Sequence, residues 1–471
     1  MAVASFDSWG EFLVYITFLF FGLSVMMVSN SIMAAPSFIT EYYKYAQGDP
    51  DVEADDPSFW FNILTYYNVA VFGTQTVCQM FMLTPAGRSI PLRPRLIAGL
   101  LIPFGEILAL ILVPVGGATE TGAKATVMVI AIVSGISKTL CDSTTNALAG
   151  PFPTKFYGAY VWGLGVSGIL SSTMSIIIKA SMADDFDSVQ TQSRIYFGVA
   201  MGLQLVSCVL LIIMPRNPFA RKYTAEFRYA HDHRHVHNNP DAETPEDNMQ
   251  VKSDSNEDLV EPVNEGNDNL CDGRKVNVLN AEGDADKMHD IDQVDNITST
   301  QQMLNAHIWT VFLAVWPMLM ACFVVFGATL LVFPGVFFAV KTDNDWYLTV
   351  IIAMFNIGDF ISRFLLLFKR LQPSPRVVLY GTFLRTLVVP PLVLCVRGII
   401  PGIALPYILS LIWGLTNGYF GGMGMIHAPR TPSLVSAGQR SLAGIMASVG
   451  LLLGLFAGSS LALAVKEGFP E

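Results

Sequence analysis

Eleven apolar runs, each about as long as a helix needs to cross a bilayer, follow one another along this 471-residue chain. A spanning helix needs about 20 consecutive apolar residues, so each run predicts one such helix. The runs cover residues 11–35, 60–83, 96–115, 124–149, 157–182, 192–214, 305–333, 347–368, 376–396, 404–426 and 441–464. Hydrophobic residues form 52% of the chain and charged residues only 14%, which is typical of a membrane protein. We therefore predict an all-α polytopic membrane protein with eleven transmembrane helices.

The short connections between these runs differ in charge. The second connection carries Arg88, Arg93 and Arg95, and the other even-numbered connections also contain lysine or arginine. The first connection, residues 36–59, contains six acidic residues and only one basic residue, Lys44. Cytosolic loops of membrane proteins carry an excess of lysine and arginine. We therefore predict that the even connections and the N-terminus are cytosolic and that the C-terminus is extracellular.

The longest connection, residues 217–303, divides the runs into six and five. Its segment 238–302 is rich in Asp and Glu and contains no aromatic residue, and it accounts for the formal net charge of -10. Such a composition buries too little apolar surface to fold by itself. We predict an N-terminal bundle over 1–216, a cytosolic, acidic, disordered loop over 217–303, and a C-terminal bundle over 304–471. The two bundles would form a major-facilitator-like arrangement.

An acid and a base lie four residues apart inside the eighth apolar run. Residues i and i+4 share one face of a helix, so Asp359 and Arg363 can contact each other, with Asn356 one turn away. A charge in the middle of a bilayer costs about 3 kcal/mol on insertion scales, so such a pair requires compensation. Two interpretations remain open. The pair is either a structural ion pair between helices or part of a polar path for a substrate.

The fourth run contains a second pair with the same spacing, Lys138 and Asp142, among many serine and threonine residues. So many polar groups in one span are typical of a helix that lines a water-filled cavity. The Asp142 carboxylate could accept hydrogen bonds from the amino or imino groups of a planar base. The alternative is that Lys138 and Asp142 only neutralise each other.

Other residues within the runs have less specific interpretations. Glu106 in the third run has either a structural or a proton-linked role, and Arg385 in the ninth is expected to brace helices. The glycine motif at residues 163–168 is similar to a nucleotide-binding fingerprint, but no strand precedes it, so close helix packing explains it better. The chain contains no catalytic motif and no cysteine pairs at metal-binding spacing. The sequence therefore predicts no enzyme, no cofactor and no metal site.

These patterns together resemble the equilibrative nucleoside transporter family, and most of all its kinetoplastid members. The run Phe355–Arg363 is similar to the family signature F-N-x-x-D-x-x-G-R, although Ser362 replaces the glycine. Residues 416–419 match the S/T-N-G-Y element of the family, and the loop at residues 41–48 resembles the kinetoplastid branch. The 6+5 division of the runs and the long central loop also agree. The resemblance implies a transporter that works by alternating access.

The resemblance also implies which residues contact the substrate. Asn356, Asp359 and Arg363 would contact the nucleoside, and the last two would reach its ribose hydroxyls. Asp142 would recognise the edge of the purine, and Lys138, one turn away, also resembles the kinetoplastid branch and is included in the site. Alignment with the family places further pocket positions on the first two helices, at Ser29, Asn30, Met33, Gln75 and Cys78. An aromatic candidate for stacking on the base is Phe21 of the first run.

We therefore predict a plasma-membrane transporter of purine nucleosides such as adenosine or inosine. Its partners would be the nucleoside, the lipid bilayer and, if uptake is coupled, protons, with no nucleic acid. The kinetoplastid resemblance implies proton coupling, for which the candidate residues are Glu106, Asp142 and Asp359. Two alternatives remain open, namely a purine nucleobase transporter of the same family and a membrane receptor or scaffold that transports nothing.

Overall fold

The computed structural model describes residues 6–183, 185–224, 299–333, 335–340 and 342–468. A helix occupies each range where the sequence predicts a span. The first six are α1 (Trp9–Ala34), α2 (Pro57–Leu83), α3 (Leu92–Gly116), α4 (Glu120–Ala149), α5 (Thr154–Ser181) and α6 (Phe186–Ile213). They are followed by α7 (Ile308–Val332), α8 (Tyr347–Leu365), α9 (Pro375–Val396), α10 (beginning at Ala404 and ending at His427) and α11 (Ala437–Gly468). The described residues form no strand, so the predicted all-α class is confirmed.

Nine helices in the described ranges are long and apolar enough to cross a membrane, which makes the chain an integral membrane protein. The other two predicted spans, α2 and α10, are also helical. The helix α10 consists of Ala404–Thr416, a π-helical turn Asn417–Gly421, and Gly422–His427. The helix α9 changes to a 3₁₀ turn at Arg385–Val388, just before two prolines that cannot donate the next helical hydrogen bonds. The total of eleven spans stays a prediction.

Short polar residues fix where several helices begin. The Ser8 hydroxyl accepts a hydrogen bond from the Glu11 N–H at the start of α1. The Asp56 carboxylate accepts one from the Phe59 N–H at the start of α2. The first turn of a helix has backbone donors without partners in the helix, and these side chains satisfy them.

The helices form two groups. In the first group, α1 packs against α5 and α6, and α4 packs against α2 and α3. In the second group, α7 packs against α9 and α11, and α8 packs against α10. The groups meet mainly where α5 faces α8 and where α11 faces α2 and α4. Side chains on these faces therefore lie between the two groups.

Glycines allow the closest approaches between helices. A Cβ at Gly163 of α5 would lie 2.1 Å from the Leu19 carbonyl oxygen of α1. A Cβ at Gly454 of α11 would lie 2.3 Å from the Phe323 carbonyl oxygen of α7. Only glycine permits such short distances between backbones. The glycine motif at residues 163–168 therefore serves helix packing, as expected from the sequence.

The two ends of the long acidic connection are helical. Pro218–Tyr223 follows α6, and Ser299–Asn305 precedes α7. The Arg88 guanidinium donates a 2.7 Å hydrogen bond to the Met303 carbonyl oxygen, which satisfies an acceptor near the end of that second helix. The described ends of the connection are therefore helical, and the rest of the predicted disordered loop over 217–303 lies outside the described residues.

Candidate functional site

The Asp359 carboxylate of α8 is held by side chains from two helices. Its Oδ2 accepts a 2.7 Å hydrogen bond from the Arg363 Nε, so the ion pair expected from the i, i+4 spacing is present. Its Oδ1 accepts a 2.7 Å hydrogen bond from the Asn417 Nδ2 of α10. Both members of the ion pair are buried. Charge-assisted hydrogen bonds of this kind offset part of the cost of removing the two charges from water.

The helix α8 is also bonded to α5 of the first group. The Arg363 Nη1 donates to the Val161 carbonyl oxygen at 3.3 Å. Further along α8, the Asn356 Nδ2 donates to the Ser172 hydroxyl at 2.7 Å. A Cβ at Gly168 would lie 2.8 Å from the Asn356 side-chain oxygen, so glycine makes room for this amide. The predicted residues of α8 therefore lie between the two groups of helices.

Small residues bring α10 so close to α8 that Asn417 can reach Asp359. A Cβ at Gly418 would lie 2.2 Å from the Ser362 Oγ and 2.5 Å from the Asp359 carbonyl oxygen. The Ser362 hydroxyl donates to that same carbonyl at 2.9 Å, so the serine that departs from the family signature satisfies its own polar group. Asn417 also begins the π-helical turn, and turns of this kind are frequent at functional sites.

The Asp142 carboxylate of α4 joins three helices. Its Oδ1 accepts hydrogen bonds from the Tyr160 hydroxyl of α5 and, at 3.0 Å, from the Asn146 Nδ2 of α4. Its Oδ2 accepts a hydrogen bond from the Ser448 hydroxyl of α11. Because α11 belongs to the second group, this last bond also crosses between the groups.

Lys138 lies one turn before Asp142 but forms no ion pair with it. Among the described residues, no carboxylate oxygen of Asp or Glu lies within 4.0 Å of the Lys138 Nζ. The Nζ instead lies 5.9 Å from the centre of the Phe72 ring, which is close enough for a cation–π contact. Lys138 and Asp142 therefore do not neutralise each other through a direct ion pair. Neutral donors, not Lys138, bind the Asp142 carboxylate.

Glu106 of α3 faces a small cavity between α1, α3 and α4 that is also lined by Lys138. The Ser137 hydroxyl donates to the Glu106 Oε1 at 2.6 Å. Within the described part of the chain, the Glu106 Oε2 is buried and has no hydrogen-bond partner. Glu106 therefore differs from Asp142 and Asp359, whose two carboxylate oxygens each accept a hydrogen bond.

Two candidates from the first helix make polar contacts inside the first group. The Asn30 Nδ2 of α1 donates to the Ser167 hydroxyl of α5 at 2.9 Å. The Met33 Sδ accepts a 3.7 Å hydrogen bond from the Asn68 Nδ2 of α2. These contacts place both residues on faces of α1 that meet neighbouring helices. Neither residue contacts the charged residues of α8 through a hydrogen bond within the described ranges.

Phe21, Ser29 and Gln75 are buried within the first group. The Phe21 ring packs edge-on against the Phe18 ring, with 6.3 Å between their centres, so in this conformation Phe21 contributes to the apolar core. The Ser29 hydroxyl and the Gln75 side-chain oxygen have no hydrogen-bond partner among the described residues. Because buried polar atoms rarely lack partners, these two atoms are candidates for contact with water or a ligand. Cys78 is half-buried and has a free thiol.

The helix α5 lies beside both charged clusters. Tyr160 donates to Asp142, and the next residue, Val161, accepts from Arg363. The sequence assigned no role to Tyr160 or to Ser448. An isolated hydroxyl residue in an apolar helix carries no sign of a partner on another helix, so only the fold identifies these contacts.

Comparison with known proteins decides the family. Residues 127–467 match the family model described as nucleoside transporter. The chain belongs to the nucleoside transporter family. It is 47% identical over 479 residues to Nucleoside transporter 2 of Leishmania donovani, with 98% of this chain and 95% of that protein covered. It is 48% identical over 481 residues to Nucleoside transporter 2 of Crithidia fasciculata, again with 98% and 95% covered.

These relatives confirm the predicted membership of the equilibrative nucleoside transporter family and the likeness to its kinetoplastid members. They also agree with the prediction that this nucleoside transporter family member is not an enzyme. The fold resembles that of the proton:xylose symporter XylE of the major facilitator superfamily, with a TM-score of 0.50 and 12% identity over 98% of this chain and 96% of that one. At this identity the likeness concerns the fold alone.

Proposed function

We propose that this protein carries purine nucleosides across the plasma membrane by alternating access. The substrate binds between the bundle α1–α6 and the bundle α7–α11, and rocking of the bundles exposes it to each side in turn. The observation that carries the proposal is that Asp142 and Arg363 each form a hydrogen bond across the bundle interface. Charged groups inside a membrane are costly and mostly line a polar path. The relatives named nucleoside transporters support the substrate class.

The two charged clusters suit different parts of a nucleoside. The Asp142 carboxylate can accept hydrogen bonds from amino or imino groups on the purine edge. The Asp359 carboxylate can accept from a ribose hydroxyl while the Arg363 guanidinium donates to the hydroxyl oxygen. A ligand that lacks these groups could not replace the hydrogen bonds that are lost when the bundles separate, and it would be rejected.

The hydrogen bonds that Asp142 and Arg363 form across the interface lie toward one side of the carrier. Asp142 and Arg363 lie in the last two turns of α4 and α8, and the charge pattern of the connections assigns those helix ends to the cytosol. The bond between Arg88 and Met303 lies on connections of the same side. Opening toward the cytosol therefore has to break these contacts. A bound nucleoside lowers the cost of opening by taking over the donors and acceptors that are released.

Proton coupling is the second part of the proposal, with Glu106, Asp142 and Asp359 as the candidate carriers. A proton gradient across proteoliposomes containing the purified protein should raise the initial rate of labelled inosine uptake and cause accumulation above equilibrium. Equal initial rates with and without the gradient would contradict coupling and leave an equilibrative carrier.

Competition between substrates tests the substrate class. Uptake of labelled inosine into the same proteoliposomes should be inhibited far more strongly by unlabelled adenosine or guanosine than by hypoxanthine or adenine, because only nucleosides offer hydroxyls to Asp359 and Arg363. Stronger inhibition by the free bases would favour the nucleobase transporter. Absence of any uptake from correctly folded protein would favour the receptor or scaffold.

A further inference from the structure

Arg385 is a buried cation in the middle of the C-terminal bundle. It lies where α9 changes from an α-helix to a 3₁₀ turn, and its residue exposure is 3%. Among the described residues, no carboxylate oxygen lies within 4.0 Å of its guanidinium nitrogens. A buried charge without an ionic partner is costly, so its hydrogen bonds must compensate. A simple brace between helices could be built from apolar side chains at lower cost.

The guanidinium donates to groups on two neighbouring helices. Its Nη1 donates to the Val325 carbonyl oxygen of α7 at 2.9 Å, and its Nη2 donates to the Thr329 hydroxyl of the same helix at 3.0 Å. The Nη2 also lies 3.3 Å from the Trp413 carbonyl oxygen of α10, and the guanidinium lies 4.1 Å from the centre of the Trp413 ring. These contacts fix the guanidinium in one orientation.

The direction of these hydrogen bonds determines the next contact. Arginine can only donate, so the Thr329 oxygen accepts from Arg385 and its single proton goes to another acceptor. Two acceptors are within reach, the Val325 carbonyl oxygen at 2.7 Å and the Asn417 Oδ1 at 2.8 Å. The Val325 carbonyl oxygen has two lone pairs, and the helix directs the backbone N–H of Thr329 to one of them. Because Arg385 donates to the other, the Thr329 hydroxyl proton is directed toward Asn417. Without Arg385, the hydroxyl can turn back to the carbonyl of its own helix, as threonine commonly does.

The same chain of donors ends at the carboxylate of the nucleoside site. When the Asn417 Oδ1 accepts from Thr329, its Nδ2 is left to donate, and this nitrogen lies 2.7 Å from the Asp359 Oδ1. The other oxygen of Asp359 accepts from Arg363. The plane of the carboxylate is therefore fixed from both sides. Four side chains, Arg385, Thr329, Asn417 and Asp359, form one directed series of hydrogen bonds across α9, α7, α10 and α8.

We propose that Arg385 is a positioning residue for nucleoside recognition, acting on the Asp359 carboxylate through Thr329 and Asn417. This inference rests on the proposed transport function. Arg385 does not touch the substrate. It orients the Asn417 amide, and the amide orients the carboxylate that accepts from a ribose hydroxyl.

The test uses full-length protein purified and reconstituted in proteoliposomes, with four variants. Arg385→Met removes the donors but keeps the length of the side chain, and Arg385→Lys restores donors. Thr329→Val removes the middle of the series while leaving the Arg385 cation. Thr382→Val is the matched control. Thr382 lies in α9 and is buried, as Thr329 is in α7, but among the described residues it donates only to the Val378 carbonyl of its own helix, at 2.8 Å.

Arg385→Met and Thr329→Val should each raise the KM for inosine about tenfold, the effect of losing one hydrogen bond, with little change in maximal rate. The KM for 2′,3′-dideoxyinosine should change much less, because that analogue offers no hydroxyl to Asp359. The double variant should be no worse than either single variant, since both interrupt one series. Arg385→Lys should recover part of the loss, and Thr382→Val should behave like the unsubstituted protein.

The inference is overturned if Thr329→Val has no effect, or if Arg385→Met lowers maximal rate or the yield of folded protein without changing the ratio of the two KM values. A second measurement separates this failure from failure of the transport proposal. Without nucleoside, the shift in melting temperature caused by Thr329→Val and Asp359→Asn together should differ from the sum of the two single shifts. Such a difference cannot come from charge, because Thr329 is neutral. Strictly additive shifts would overturn the series. Coupled shifts in a protein that binds no nucleoside would support the series and overturn the transport proposal.

Discussion

Replacing Ser448 by alanine should shift the protein toward the state in which the two bundles have separated around Asp142. The Ser448 hydroxyl of α11 donates to the Asp142 carboxylate of α4, and its residue exposure is 1%. The carboxylate also accepts from Asn146 and Tyr160, which both belong to the N-terminal bundle. The substitution therefore removes a contact across the interface and leaves those two contacts within the bundle in place.

The size of the shift follows from the energy of this hydrogen bond. A hydrogen bond to a charged group contributes about 1.5–3 kcal/mol net. This net value already includes the water that binds both groups when the bundles separate, and we take its lower end. An energy of about 1.4 kcal/mol changes an equilibrium constant tenfold. Ser448→Ala should therefore raise the ratio of separated to closed protein about tenfold.

Double electron–electron resonance, which measures the distance between two nitroxide labels, can detect this shift in liposomes. The labels are attached at Ser89 and Ser433, which are exposed on connections of opposite bundles, after the native cysteines have been replaced. The fraction of molecules at the longer distance should grow in Ser448→Ala. Ser459→Ala is the matched control, because Ser459 is also a buried serine of α11 but donates at 3.0 Å to the Phe456 carbonyl of its own helix. Equal distance distributions in the two variants would show that the hydrogen bond from Ser448 to Asp142 does not hold the bundles together.

Three further substitutions test the packing of α10 on α8, the contact of Arg363 with ribose and the proton-linked role of Glu106. Gly418→Ala places a Cβ 2.2 Å from the Ser362 Oγ. It should destabilise the protein by about 1–3 kcal/mol and lower its melting temperature, whereas Gly105→Ala, with no atom within 4 Å of its Cβ, should not. Arg363→Lys cannot reproduce the planar contacts of the guanidinium, so equilibrium binding of inosine should weaken about tenfold, and unchanged binding would contradict the ribose assignment. Glu106→Gln cannot take up a proton, so it should abolish the stimulation of uptake by a proton gradient while exchange of labelled for unlabelled inosine continues; persistent stimulation would exclude Glu106.

The positions of the long helices could be predicted from the sequence because bilayer thickness fixes the length of an apolar run. The bounds differ mostly by a few residues, as with α4, predicted over 124–149 and found at Glu120–Ala149. The helix Ser299–Asn305 was missed for a different reason. Composition averaged over an acidic segment indicates disorder, whereas Arg88 of a distant connection donates to the Met303 carbonyl near the end of this short helix.

Two pairs with the same spacing had different outcomes. Asp359 and Arg363 form an ion pair, whereas Lys138 and Asp142 do not. An acid that precedes a base on a helix is favoured over the reverse order, and only the first pair has the favoured order. Spacing shows only that a contact is possible. The partners that decide the outcome, such as Tyr160, come from other helices and cannot be read from local sequence.

If the proposed function is right, one nucleoside binds to both charged clusters at the bundle interface. Equilibrium binding of inosine and its analogues to the unsubstituted protein, Asp142→Asn and Asp359→Asn tests it most directly. Asp142→Asn should change the preference among purine bases and keep the preference for ribose over dideoxyribose. Asp359→Asn should keep the preference among purine bases and reduce the preference for ribose. Binding that is unchanged in both variants, or equally weakened for every analogue, would contradict the claim.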